Sequence, residues 1–252
     1  MQNSSSPPEI DREIHTRDEM WRPDETWYFA VGRSGLRAVR LGIDLSWLLE
    51  VESLLDLPCG YGRVARYLRA AYPETQMYFC DLEPEAADFC ATRFRGTPIH
   101  SQPELTEVAL PKVDVIWVGS LFTHVDEART RRWLSYLCEH LNPEGVLVAT
   151  FHGPWSLQMQ EQAPMIDDES WKKIVDGYEE TGFGYAPYPN GTDDDYGISL
   201  TRPGAVCDMV GQIPDVRLAG YMERGWAENH DVVVVTRDAR TKPWKPDFRS
   251  WK

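Results

Sequence analysis

Apolar and polar positions fall into blocks along this chain, and the blocks switch between short apolar runs and stripes at helical spacing. Leu54 and Leu55 open an apolar run that ends in Asp56, and a glycine turn follows at Gly60 and Gly62. Val64, Ala65, Leu68 and Ala71 then lie near one helical face, which stops before Pro73. A second apolar run closes on Asp81. Strand, glycine loop, helix and strand, with an acid ending each strand, predict the first half of a nucleoside-binding α/β sheet.

The alternation continues. Pro84 suits the first turn of a helix whose stripe is Ala86, Phe89, Cys90 and Phe94. Residues 98–101 predict a short third strand, and 113–118 a buried one followed by the loop 119–124. Asp126 is placed to cap a helix bearing Leu134, Leu137, Cys138 and Leu141. Asn142-Pro143-Glu144-Gly145 predicts a turn, and 146–151 a fifth strand. A last helix is expected over 203–211, then strands over 216–223 and 231–237 joined by 224–230. Strands at βα spacing predict a doubly wound, mostly parallel seven-stranded α/β sheet with helices on both faces.

Three regions fall outside that rhythm. Residues 1–20 are rich in Ser, Pro and Glu and are expected to be a flexible tail. Residues 21–50 read as an N-terminal cap helix region: aromatics at Trp21, Trp27, Tyr28 and Phe29, then a helical stripe at Leu36, Val39, Ile43 and Trp47. The main domain is expected over 51–240, with an inserted lid over 153–200 that carries Trp155, Trp171, Tyr178, Phe183, Tyr185, Tyr188 and Tyr196. Asp193-Asp194-Asp195 offers carboxylates to a cation, but three in a row suit a solvated turn better, and no metal is assigned. Residues 241–252 read as an extended tail.

Charge narrows the partners. Lys and Arg number 26 against 40 Asp and Glu, a formal charge of −14, which disfavours a nucleic-acid substrate. Arg129, Arg131 and Arg132 are the densest basic cluster and read as a solvated helix face. No run of 18 uncharged apolar residues predicts a membrane span, and the polar start predicts no signal peptide. Cys59, Cys80, Cys90, Cys138 and Cys207 form no CxxC pair, which suits reduced thiols in a cytoplasmic protein. A homodimer is possible, but nothing in the sequence supports one.

Asp81 follows Gly62 by 19 residues, near the offset of about 20 at which an acid accepts hydrogen bonds from a ribose. Asp56, just ahead of the loop, would repel a pyrophosphate and suit a ligand with positive charge. S-adenosylmethionine fits: it has a ribose, an ammonium and a sulfonium, and no phosphate. Asp56-Leu-Pro-Cys-Gly-Tyr-Gly62 followed by Asp81 resembles the first two motifs of the class I S-adenosylmethionine-dependent methyltransferases, with Pro58 where that family usually has Gly. Residues 117–124 are similar to the family's fourth strand and following loop. The resemblance implies a Rossmann-like methyltransferase fold closed by an antiparallel C-terminal hairpin, and a segment ahead of the first strand that closes over the cofactor. It also implies that Ser101 or Gln102, after the third strand, faces an adenine.

The cofactor candidates are therefore Asp56, Pro58, Cys59, Gly60, Gly62, Asp81, Leu82, Ser101, Ser120 and Leu121. His124, just past a strand end, is the first candidate base, and His152 the second. Tyr185, Tyr188, Tyr196, Trp226 and His230 are candidate walls of a substrate pocket, and His15, His100 and His140 read as structural or exposed. The expected activity is methyl transfer to a small molecule, at oxygen. Two alternatives stay open: a nicotinamide-dependent oxidoreductase or epimerase, and a non-catalytic nucleoside-binding module.

Overall fold

The computed structural model describes residues 10–22, 25–46, 48–189 and 196–238. In chain order the strands are β1 (Ser53–Leu57), β2 (Gln76–Asp81), β3 (Thr97–His100), β4 (Val113–Val118), β5 (Leu141–Phe151), β6 (Phe183–Pro187), β7 (Gly197–Thr201), β8 (Val216–Trp226) and β9 (His230–Arg237). The helices are α1 (Glu25–Ser46), α2 (Ala65–Ala71), α3 (Pro84–Phe94), α4 (Glu127–Glu139), α5 (Trp155–Gln162), α6 (Asp168–Thr181) and α7 (Pro203–Gly211). Seven strands form one sheet in the order β3-β2-β1-β4-β5-β9-β8, and β6 and β7 pair separately. The first five are parallel, and β9 runs antiparallel to both β5 and β8. This is the doubly wound sheet and closing hairpin that the pattern predicts.

Period-two alternation explains the two cores. Leu54, Met77, Val115, Trp117 and Val148 point to the face covered by α1, α2 and α3. Their neighbours Leu55, Cys80, Ile116, Val118 and Leu147 point to the face covered by α4 and α7. Burial on both sides is why these strands read as continuous apolar runs.

The boundaries differ from the sequence reading in three places, each for a tertiary reason. The first helix begins at Glu25, well ahead of the stripe that starts at Leu36, because Tyr28 and Phe29 turn into the core and extend its buried face; Trp47 lies outside the described residues. Residues 142–145 do not end an element. Leu141 pairs with Val113, the register slips through Glu144 at φ 68°, and pairing resumes at Val146 with Val115. The last hairpin is longer than predicted, because Ala227 and Glu228 take φ of 54° and 57° and let β8 run on to Trp226.

Residues 10–20, expected to be loose, are held in place. Arg66 is buried, and its guanidinium donates to Asp11 O (2.7 Å) and Glu13 O (3.0 Å) as well as to Gly62 O (3.0 Å). A buried cation needs acceptors, and the N-terminal segment supplies them. Arg93 pairs with Asp11 at 2.5 Å and with Glu13 at 2.7 Å.

The insertion 153–200 has a small core of its own, in which Ile174, Tyr178, Ile198 and Leu200 are buried. It is joined to the main sheet through backbone: Gly197 N donates to His124 O (2.9 Å), Ser199 N to Thr123 O (2.9 Å) and Thr201 N to His152 O (2.8 Å). The acidic triplet 193–195 and the tail 241–252 lie outside the described residues, as do residues 1–9. Among the described residues no helix is long and apolar enough to cross a membrane.

Replacing Arg66 by Met should release residues 10–22. Hydrogen exchange in that segment should rise strongly, exchange in β1 and β4 should not, and stability should fall by about 2–3 kcal/mol. Unchanged exchange in 10–22 would show that other contacts hold the segment.

Candidate functional site

The site is built where β1, β2 and β4 end. Asp81, at the tip of β2, ties two loops together. Its Oδ2 accepts from Gly60 N (2.8 Å) and its Oδ1 from Glu83 N (3.0 Å). Cys59 N donates to Cys80 O (3.0 Å), which adds a backbone tie at the same point. The two glycines of the loop do different jobs. Gly60 has φ 49° and nothing within 4 Å of where a Cβ would stand, so its open side faces the crevice. Gly62 has φ 84°, but a Cβ there would run into the Phe94 ring, so this glycine lets α3 pack on the loop. The Leu57–Pro58 peptide that opens the loop is cis.

Asp56 is 1% exposed, and its Oδ2 accepts no hydrogen bond from any described residue. Burial, and the nearby Asp81, hold its carboxyl well above the usual carboxylate range. An ionised carboxylate with a bare oxygen is costly to bury, unless a cation completes it.

A cavity of about 270 Å³ lies over this loop, lined by Asp56, Gly60, Asp81, Trp117, His124 and Trp226 among others. A second, of about 470 Å³, adjoins it, and Pro58, Asp81, Ser120 and Tyr196 border both. The second is the more apolar, walled by Leu57, Leu82, Leu105, Leu121 and Val125, with Ser101 and Gln102 at its edge. Together they form one crevice outside the carboxyl ends of the parallel strands, where ligands of such sheets bind.

His124 stands in the first cavity, stacked on Tyr196 with ring centroids 4.8 Å apart. Its Nδ1 lies 2.8 Å from Gly197 O, and a carbonyl only accepts. Nδ1 therefore carries the hydrogen and Nε2 keeps its lone pair. Burial lowers the pKa of this ring, so it is neutral at pH 7. His152 is 4% exposed, donates from Nδ1 to Ser199 O (3.1 Å), and is pulled down to about 3 by burial and then by His124. His230 lies 4.8 Å from it, ring to ring, and is held well below the ordinary histidine range by burial first and His152 second.

Several candidates from the sequence thus converge and others do not. Asp56, Pro58, Cys59, Gly60, Asp81 and Ser120 border the first cavity, as do His124, Tyr196 and Trp226. Leu82, Ser101 and Leu121 border the second. Gly62, His152, Tyr185 and His230 border neither. Tyr188 borders neither cavity, and its hydroxyl lies 3.3 Å from His124 Nδ1. The sequence reading missed Arg63, Trp117, Glu83 and the N-terminal Arg17 to Met20, all of which line the first cavity. Arg63 follows Gly62 directly and was open to suspicion; the N-terminal residues carry no local signal, because only the fold brings them there. His15, read as structural or exposed, stacks on Tyr61 at 4.4 Å beside the loop.

Residues 55–147 match the family model of a methyltransferase domain. Solved structures with the same fold include the sugar N-methyltransferase KedS8 from Streptoalloteichus sp, 16% identical over 95% of this chain and 99% of that one, with TM-score 0.58. An O-methyltransferase family protein from Burkholderia thailandensis is 14% identical over 86% of this chain and 60% of that one, at TM-score 0.55. Human N-acetylserotonin methyltransferase, in complex with S-adenosylmethionine, is 14% identical over 82% of this chain, at TM-score 0.53. This chain spans about half of the human protein, 52% of its length. No curated protein sequence matches. The strand order is that of the methyltransferase structures it resembles, and the stretch that matches the methyltransferase-domain model carries the acid-tipped glycine loop.

Urea unfolding of three variants checks the assignment of the loop. Gly62→Ala should cost about 2–4 kcal/mol through positive φ and the Phe94 clash, and Gly60→Ala only about 1 kcal/mol. Asp56 has a folded pKa above its unfolded one, so its ionisation destabilises the fold as pH rises past the ordinary carboxylate range. Asp56→Asn should therefore stabilise the ligand-free protein at pH 7 by about 1 kcal/mol or more. A loss of stability would make Asp56 structural.

Proposed function

We propose that this protein transfers the methyl group of S-adenosylmethionine to a small molecule, at an oxygen. One observation carries the reading: the buried Asp56 carboxyl, with no donor on Oδ2 among the described residues and beside the open Gly60 floor, suits a cationic ligand that approaches the backbone closely and favours its ionised form. The adenine belongs in the apolar cavity by Leu82 and Leu121, the ribose at Asp81, and the methionine end over Asp56 and Gly60.

The chain's own residues then align and deprotonate. Transfer from a sulfonium is an in-line displacement that leaves a neutral sulfur, so alignment is the main contribution, worth up to ~7–11 kcal/mol in well-oriented systems. A hydroxyl acceptor must also lose a proton. His124 receives it at Nε2, while its Nδ1–H stays on the Gly197 carbonyl. Similar folds include both a sugar N-methyltransferase and an O-methyltransferase family protein. The neutral imidazole favours oxygen here, since an alcohol needs a base more than an amine does. Trp226 and Tyr196 wall the acceptor side, the latter supplied by the insertion. The five cysteines are free thiols, which suits a reducing cytoplasm.

The nicotinamide alternative meets an acid where a pyrophosphate would lie. Calorimetry with S-adenosylhomocysteine should give binding, and with NAD none; the reverse result would sink the proposal. Asp81→Ala should weaken S-adenosylhomocysteine at least about tenfold. His124→Ala should leave that affinity alone and lower turnover about 10²- to 10⁴-fold, measured with labelled donor and a metabolite extract. Because the neutral ring is the active form, activity should fall as pH drops through the His124 pKa. Burial places that limb below the ordinary histidine value of about 6.5, and His124→Ala should abolish it.

A further inference from the structure

The first cavity contains two arginines with different fates. Arg17 is taken up by ion pairs with Glu83 and Glu85. Arg63 is partly buried and, among the described residues, has no hydrogen-bond or ion-pair partner. Its guanidinium leans on the Trp226 indole, 5.7 Å from the ring centroid. Trp226 is itself fixed, 3% exposed and donating from Nε1 to Val31 O (3.1 Å). The acid that acts on it electrostatically, Asp18, accepts hydrogen bonds from Tyr28 Oη (2.6 Å) and Met20 N (3.0 Å) instead. A planar five-donor cation thus stands at a cavity wall with no acceptor among the described residues. On the same cavity Asp56 offers an acceptor without a donor.

We propose that Arg63 is an anchor for a ligand carboxylate, paired across the cavity with Asp56 as the anchor for an ammonium. Guanidinium and carboxylate match as a two-pronged fork, and a ligand bearing both charges satisfies both protein groups at once. A purely cationic ligand would leave Arg63 unpaired and repelled. Two sources supply such a carboxylate. One is the amino-acid end of the donor, on the proposed methyl-transfer reading; the other is a carboxylate on the acceptor.

Calorimetry on the full chain separates them, using wild type, Arg63→Met and Arg63→Lys. The probes are S-adenosylhomocysteine, its decarboxylated analogue, and benzoate with and without bound S-adenosylhomocysteine. If the donor supplies the carboxylate, wild type binds S-adenosylhomocysteine about 10- to 100-fold more tightly than the decarboxylated analogue. Arg63→Met then loses that preference while holding the analogue unchanged, and Arg63→Lys, which keeps the charge but not the fork, retains part of it. If the acceptor supplies it, that preference survives in Arg63→Met, and benzoate binds the wild type but not the Met variant. Equal behaviour of wild type and Arg63→Met towards every probe would overturn the proposal. Failure of S-adenosylhomocysteine to bind wild type would instead sink the methyl-transfer reading, and the benzoate comparison would still decide on Arg63.

Discussion

Asp81 is the joint on which the crevice depends. One carboxylate holds the glycine loop through Gly60 N and the start of α3 through Glu83 N, so the ends of β1 and β2 cannot drift apart. That fixes the Gly60 floor, and the floor sets how closely a ligand approaches Asp56. Each oxygen of Asp81 has only one of these bonds, which leaves capacity for further donors such as ribose hydroxyls. A single side chain thus serves the fold and the site together.

Around this joint the protein carries charge that its own contacts leave incomplete. Among the described residues Asp56 has no donor on Oδ2, and Arg63, over the Trp226 ring, has no acceptor. Elsewhere the chain pairs such groups: Arg66 is spent on carbonyls, and Arg132 and Trp133 converge on Glu104, whose carboxyl is held down to about 2. Buried charge left incomplete at a cavity wall is what a ligand-binding site looks like energetically. A bound ligand of complementary charge would remove that cost.

The histidine cluster shows a related economy. His124, His152 and His230 are all kept neutral, chiefly by burial, but only His124 borders the cavity. The β7 backbone sets the hydrogen positions of the first two through Gly197 O and Ser199 O. The inserted segment therefore reaches the candidate base through its main chain, so side-chain changes on the insertion leave in place the carbonyl that sets the tautomer of His124. Aromatic rings at Tyr188 and Tyr196 add the side-chain part of that wall.

The sequence alone determined the sheet, because two-sided burial writes continuous apolar runs at 54–57, 76–81, 113–118 and 146–151, and helices write their own spacing between them. It also determined the acid-tipped glycine loop, whose members lie close along the chain and need no distant partner to be recognised. The distinct duties of Gly60 and Gly62 were not legible, since both satisfy the same local pattern and only the position of Phe94 tells them apart. Nor was the capture of residues 10–20 by Arg66, the withdrawal of His152 from the cavity, or the unspent donors of Arg63. Those depend on which groups meet across 50 residues or more, and such meetings are decided by how buried charges find partners in three dimensions, a competition that no local pattern records.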